Sequence, residues 1–286
     1  MVTLNNVFNN DNMTCIASGG PFFVYEHQND LSVTPGGSPT AYFMKEMNVK
    51  RRQVLCQLNG NSVKVQAGAM QWTTGNVEMN ANVGGVGGFF SKAIKGAVTG
   101  ESAVKPLYQG QGFLMLEPTY NHILLEDVSQ WGPQGMVLDD GLFFACESSL
   151  QENVVRRQNV SSALLGGEGL FNLCLTGNGM AVLESPVPRQ ELFEFVLQDD
   201  VVKIDGNMAI AWSGSLQFTV EKSTKSLIGS GLSGEGFLNV YRGTGRILMA
   251  PTMAGTINVS SNGPEQTTAT AGQSTVTDAV VSSIFG

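Results

Sequence analysis

The sequence predicts an all-β protein in which one structural unit occurs three times. The first observation is a signature at fixed spacing. Gly100-Glu101 leads to Gly110-Gln111-Gly112 and Pro118, Gly167-Glu168 to Gly177-Asn178-Gly179 and Pro186, and Gly234-Glu235 to Gly243-Thr244-Gly245 and Pro251. The glutamates lie 67 positions apart both times (168 − 101 and 235 − 168). Equal period with equal punctuation means a supersecondary unit repeated along the chain. The second observation is composition: 35 glycines against 10 prolines, with 14% charged and 42% apolar residues, suit short strands and tight turns.

Taken in order, strand signals dominate. Val63-Lys-Val65 and Leu216-Gln-Phe218-Thr-Val220 alternate with period two. A glycine follows the first of these, and the stretch through Gly68, Met70 and Trp72 resembles Val137 to Phe144 around Gly141 and Val202 to Trp212 around Gly206. Each Gly-x-Gly follows an apolar run and reads as strand, close turn, strand. A unit is then expected to hold at least two hairpins and about six strands. Pro106 falls where the other copies have Leu173 and Val240, so the first copy is expected to lie at an edge or a bulge. Met44, Met47, Met70, Met79, Met115 and Met208 are expected at strand positions, packing the core.

Two segments stand outside the pattern. The insertion 84–96 has no full counterpart in the other copies. From about residue 258 to 273 the chain is rich in Ser, Thr, Gly and Ala and is expected to be disordered. After it, Thr275 and Asp278 form a capping pattern, and Val276, Val280 and Ile284 recur every four residues, as in a short helix. The expected organisation is a triple-repeat β domain over 1–255, with signatures near 100–118, 167–186 and 234–251. A flexible tail with that helix follows over 256–286.

A net charge of −8 argues against nucleic acid as a partner, since such affinity comes largely from clustered Lys and Arg. The basic groups Lys50-Arg51-Arg52 and Arg156-Arg157 read as solvated strand ends. Cys15, Cys56, Cys146 and Cys174 show no paired spacing, and the last three lie in apolar runs as small core residues. With no basic-plus-apolar leader and no bilayer-length apolar run, the chain is expected to be cytoplasmic.

Five sets of residues together resemble the altered-inheritance-of-mitochondria family, member twenty-four. They are Gly-Ala-Met-Gln-Trp at 68–72, Gly-Gly-Phe-Phe-Ser-Lys with Thr-Gly-Glu-Ser within 87–102, and Ala209-Ile-Ala-Trp212. Leu-Ser-Gly-Glu-Gly-Phe at 232–237 and Arg242-Gly-Thr-Gly245 complete the set. The resemblance covers roughly residues 40 to 255. It implies a fold similar to the tryptophan RNA-binding attenuator protein, a double-stranded β-helix, with three such units in pseudo-threefold arrangement. It also implies inner-membrane organisation rather than catalysis. It does not imply RNA binding, because no basic residue holds the same place in all three repeats.

Glu101, Glu168 and Glu235 are the only ionisable residues in every copy. Each carboxylate is expected either to accept turn amides or pair with an arginine such as Arg242 or Arg246, or else to join the other two around a hard cation on the repeat axis. The structural reading is preferred. His27 and His122 sit in unrelated contexts, and neither a Gly-x-Ser-x-Gly elbow nor a His-Glu-x-x-His pattern is present, so no catalytic site and no cofactor are expected. In the insertion, Phe89, Phe90, Lys92 and Ile94 either plug the end of the repeat array or touch a partner protein or an anionic membrane surface. The resulting expectation is a non-enzymatic scaffold that assembles as a homo-oligomer. The alternatives are a protein binding a small molecule or metal through the symmetry-related carboxylates, and the membrane-surface-associated organiser that the family resemblance implies.

Overall fold

A computed structural model describes residues 2–80, 105–156, 171–222 and 237–252. The fold is all-β, with antiparallel sheets and one short α-helix. The chain opens with a hairpin, β1 (Met13–Gly19) and β2 (Phe22–His27), followed by α1 (Ser38–Glu46). Four strands come next: β3 (Arg52–Val65), β4 (Met70–Thr73), β5 (Asn76–Asn80) and β6 (Leu107–Leu116). Six shorter ones follow: β7 (His122–Asp127), β8 (Met136–Leu138), β9 (Phe143–Glu147), β10 (Gln151–Arg156), β11 (Phe171–Thr176) and β12 (Met180–Ser185). The last four are β13 (Phe193–Asp205), β14 (Ala209–Ser213), β15 (Gln217–Lys222) and β16 (Phe237–Met249).

Two sheets result. The first runs β1-β2-β3-β9-β12-β7, with β6 pairing β3, β4 and β5; the second runs β10-β11-β8-β14-β16-β13, with β15 on β16. The middle strands divide between them, because the turn 128–135 breaks what would be one long strand into β7 and β8. Within that turn Asp127 accepts from the Ser129 backbone N–H, and Trp131 is buried beneath it. One core cluster draws on both sheets, with Leu124, Phe143 and Leu183 from the first against Met136, Leu138 and Leu175 from the second. Each such side chain contributes about 1.5–3 kcal/mol on burial, so this cluster is what holds the sheets face to face.

Several expectations are revised. The Gly-x-Gly pairs at 110–112 and 243–245 lie inside the continuous strands β6 and β16 and do not make hairpins. In β6 the glycines admit a neighbouring backbone: a Cβ on Gly110 would lie 2.0 Å from the Asn76 carbonyl oxygen, and one on Gly112 2.0 Å from that of Thr74. Gly68, Gly141 and Gly206 do make turns, all at positive φ. The strands flanking each turn pair elsewhere, so these are corners and not hairpins. Pro106 is buried one residue ahead of β6, where its carbonyl accepts the Val65 N–H and no ladder donor is missed. Of the methionines, Met115 packs the core, but Met44 lies in α1, and Met47, Met70 and Met79 are exposed. Cys56, Cys146 and Cys174 are buried free thiols, as expected.

Candidate functional site

Glu101, Glu168 and Glu235 lie outside the described residues, as do Phe89, Phe90, Lys92 and Ile94 of the insertion and Val276, Val280 and Ile284 of the tail. Of the arginines offered as their partners, Arg242 lies 2.7 Å from Glu221, and Arg246 pairs with Glu194. Among the described residues no group of three His, Cys, Asp or Glu could hold a metal, and no helix is long and apolar enough to cross a membrane.

Among the described residues several strands are paired on one side only, and two of them, β4 and β13, occupy places that are paired on both sides elsewhere in the chain. β9 is paired on both sides, to β12 and to β3, and β14 likewise to β16 and to β8. β4 pairs only with β6, and β13 pairs only with β16. Burial follows the pairing. Met70 at the start of β4 is 41% exposed, whereas Phe143 and Ala209, which begin β9 and β14, are 2% and 3% exposed. Along β13, Phe193, Val196 and Val201 are all exposed. The two edges differ in charge: β4 reads Met70-Gln71-Trp72-Thr73, while β13 carries Asp199, Asp200, Lys203 and Asp205. The repeated pattern of Val202 to Trp212 is visible in the sequence, but nothing local in either strand says which edge stays unpaired.

Two polar regions flank these sheets. A groove of about 380 Å³ lies between the β1–β2 turn, the bulge of β3 and the β9–β10 turn. Gln57, Asn59 and Asn61 line one side and Glu147 and Ser149 the other, with Ser62 and Ser148 joined by a 2.6 Å hydroxyl contact at the base. The Glu147 carboxylate makes no hydrogen bond or ion pair among the described residues. It fills space that only glycine leaves open, since a Cβ on Gly20 would lie 2.1 Å from its Oε1. A smaller cleft beneath α1, about 30 Å³, has room for one or two waters.

Beside that cleft sits a buried ion cluster. Arg52 and Lys50 both lie 2.9 Å from the Glu26 carboxylate. Burial pushes the Glu26 carboxyl up, but the two cations outweigh it and hold it below its ordinary value. Burial, helped by the charge of Arg52, pushes the nearby His122 down to about 4. His27 is hydrogen-bonded to Gln53 at 2.8 Å. Both histidines are half-buried, and the charged groups acting on His122 are Arg52 and Glu26. At the other end, burial raises the Glu126 carboxyl despite its 3.1 Å contact with Arg189.

Residues 45–252 match the family described as mitochondrial biogenesis AIM24. The chain belongs to this family. An uncharacterised protein of Streptococcus pyogenes serotype M6 is 31% identical over 197 residues, 66% of this chain and 76% of the relative. A crystal structure of a Streptococcus pyogenes protein superposes with a TM-score of 0.52 at 27% identity, covering 72% of this chain and 90% of that one. The family match takes in β3 through β16 and starts within α1, so the β1–β2 hairpin lies outside it.

Proposed function

We propose that this protein is a non-enzymatic scaffold, built from three copies of one unit in series, that assembles with further copies of itself. The support for three copies is register. The second strand of each stretch meets its last strand through the same bulge: Met70↔Leu116 with Trp72↔Met115, Phe143↔Leu183 with Ala145↔Val182, and Ala209↔Met249 with Ala211↔Leu248. The same carbonyl is used each time, as Glu117, Glu184 and Ala250 donate to Ala69, Leu142 and Met208 at 2.7 Å. Such units resemble the attenuator-like double-stranded β-helix that the family resemblance implies.

The observation that carries assembly is the pair of open edges with exposed apolar residues beside them. Unpaired N–H and C=O groups in a row are a template for another strand. Sedimentation of the full chain across a concentration range tests this reading. Association above the monomer mass is expected, and a monomer at every concentration refutes it. A second reading is favoured by the groove at Glu147, whose carboxamides, hydroxyls and carboxylate, unpartnered among the described residues, suit a small hydroxylated or amine-bearing ligand. Thermal shifts on titrating neutral sugars and amines, lost in Glu147→Gln, would support it.

A further inference from the structure

We infer that the C-terminal half of β13 in one copy pairs antiparallel with β4 of a second copy, in the register that already joins strands within the chain. This rests on the assembly reading above and names its contact. Two internal junctions set the pattern. In the first, β3 meets β9 as Val63↔Glu147, Lys64↔Cys146 and Val65↔Ala145, and the Gln66 N–H donates to the Phe144 carbonyl at 2.8 Å. In the second, β8 meets β14 as Met136↔Ser213, Val137↔Trp212 and Leu138↔Ala211, and the Asp139 N–H donates to the Ile210 carbonyl at 2.9 Å. Both junctions thus have the same register and the same closing hydrogen bond.

The place of each residue at the open ends follows from its own ladder. Lys64, Val137 and Lys203 stand opposite Leu107, Cys174 and Val240, each three residues ahead of the first glycine of its Gly-x-Gly, so that Asn239 and not Val240 answers to Pro106 and Leu173. Trp72, Ala145 and Ala211 share the bulged place described above. A third junction of the same kind pairs Val202 with Thr74, Lys203 with Thr73 and Ile204 with Trp72, and the Asp205 N–H donates to the Gln71 carbonyl.

Within the folded chain β4 and β13 share no ladder. After two junctions the chain has one half of each kind of edge left over. Those halves are different surfaces, so the contact between copies is head to tail. Charge favours it as well. Pairing β13 with another β13 brings Asp199, Asp200 and Asp205 from both strands together, whereas β4 carries no charge to oppose them. Main-chain bonds from an added strand supply the affinity, and the side chains at Trp72 and Ile204 supply the match.

The test uses the full chain with Cys15→Ser, because Cys15 is exposed and the other three cysteines are buried. Val202 and Thr74 would form a non-hydrogen-bonded pair, whose Cα separation of about 4.5 Å suits a disulfide. Mixing Val202→Cys chains with Thr74→Cys chains under mild oxidation should give a linked dimer that neither chain forms alone. Replacing Val202→Cys by Val201→Cys, one residue out of register, should lower its yield about 10-fold or more. Independently, Asp205→Pro removes the edge donor and should weaken association at least about 10-fold, with unchanged circular dichroism. A disulfide closing within a single chain in the doubly substituted protein would overturn the inference. So would an oligomer that neither links in this register nor responds to Asp205→Pro, which would leave the assembly reading standing. A wild-type chain that is always monomeric would overturn both.

Discussion

Arg52 Nη2 lies 2.9 Å from Glu26 Oε2, with the arginine side chain only 2% exposed. The remaining guanidinium hydrogens reach the carbonyl oxygens of Asn48 at 3.1 Å, Lys50 at 3.3 Å, and Tyr120 and Asn121 at 3.4 Å. One side chain therefore ties the start of β3 to the segment after α1, to β2 and to the loop before β7. Removing it leaves a buried carboxylate and four carbonyls with a lost donor. Arg52→Met should cost about 3–5 kcal/mol in urea unfolding. The exposed pair of Arg242 and Glu221 serves as the control, and Arg242→Met should leave the unfolding midpoint in place.

Stability should fall as the medium is acidified between pH 6.5 and about 4, and His122 is the reason. Its folded value is pushed down to about 4 from 6.5, so over that window the unfolded chain binds a proton that the folded chain refuses. The penalty is absent above 6.5 and complete below the folded value. Replacing His122 with Asn should flatten this part of the melting-temperature profile. Glu26, held low by Lys50 and Arg52, adds a further loss only once the pH passes below the ordinary carboxylate range.

Gly112 and Gly141 both have positive φ but differ in what surrounds them. At Gly112, φ is 145°, and a Cβ would lie 2.0 Å from the Thr74 carbonyl oxygen. At Gly141, φ is 81° with nothing within 4 Å. Gly112→Ala should lose about 3 kcal/mol, because backbone must move as well as bend. Gly141→Ala should lose only about 1 kcal/mol, the cost of a left-handed alanine. Chemical denaturation of the two variants measures the difference.

Trp212, Phe218 and Tyr241 form an aromatic trio on the second sheet, with ring centroids 5.0 to 5.7 Å apart. Their strands β14, β15 and β16 are joined by it on one face. Trp212→Ala should destabilise the chain by about 3–5 kcal/mol and remove the near-ultraviolet dichroism of this cluster. Thermal unfolding followed at that wavelength gives the check.

The strand character of this protein was legible residue by residue. Alternation at Val63–Val65 and Leu216–Val220, glycines at 68, 141 and 206, and the apolar settings of Cys56, Cys146 and Cys174 depend on neighbours in the chain, and local periodicity reports them well. The Gly-x-Gly positions are equally visible, and 177–179 does link one strand to the next, but at 110–112 and 243–245 the chain runs on as a single strand. Whether a glycine bends a hairpin or admits a crossing backbone depends on the Thr74 and Asn76 carbonyls more than 30 residues away, and no local pattern encodes that approach.

The methionines show the same limit. Met70 and Met115 sit in similar apolar runs, yet one is 41% and the other 2% exposed, because β6 has strands on both sides and β4 has a strand on one. By itself the sequence determined which segments become strands, where the backbone must turn left-handed, which thiols belong in the interior, and the family to which the chain belongs. Only the tertiary structure decided which strands pair, that Arg52 is enclosed by four carbonyls and a carboxylate, and that β4 and β13 each have a ladder on one side only among the described residues. The reason is physical: a residue's conformational preference is set by its own atoms and immediate neighbours, whereas a ladder partner is chosen by the closure of long loops and the burial of whole faces.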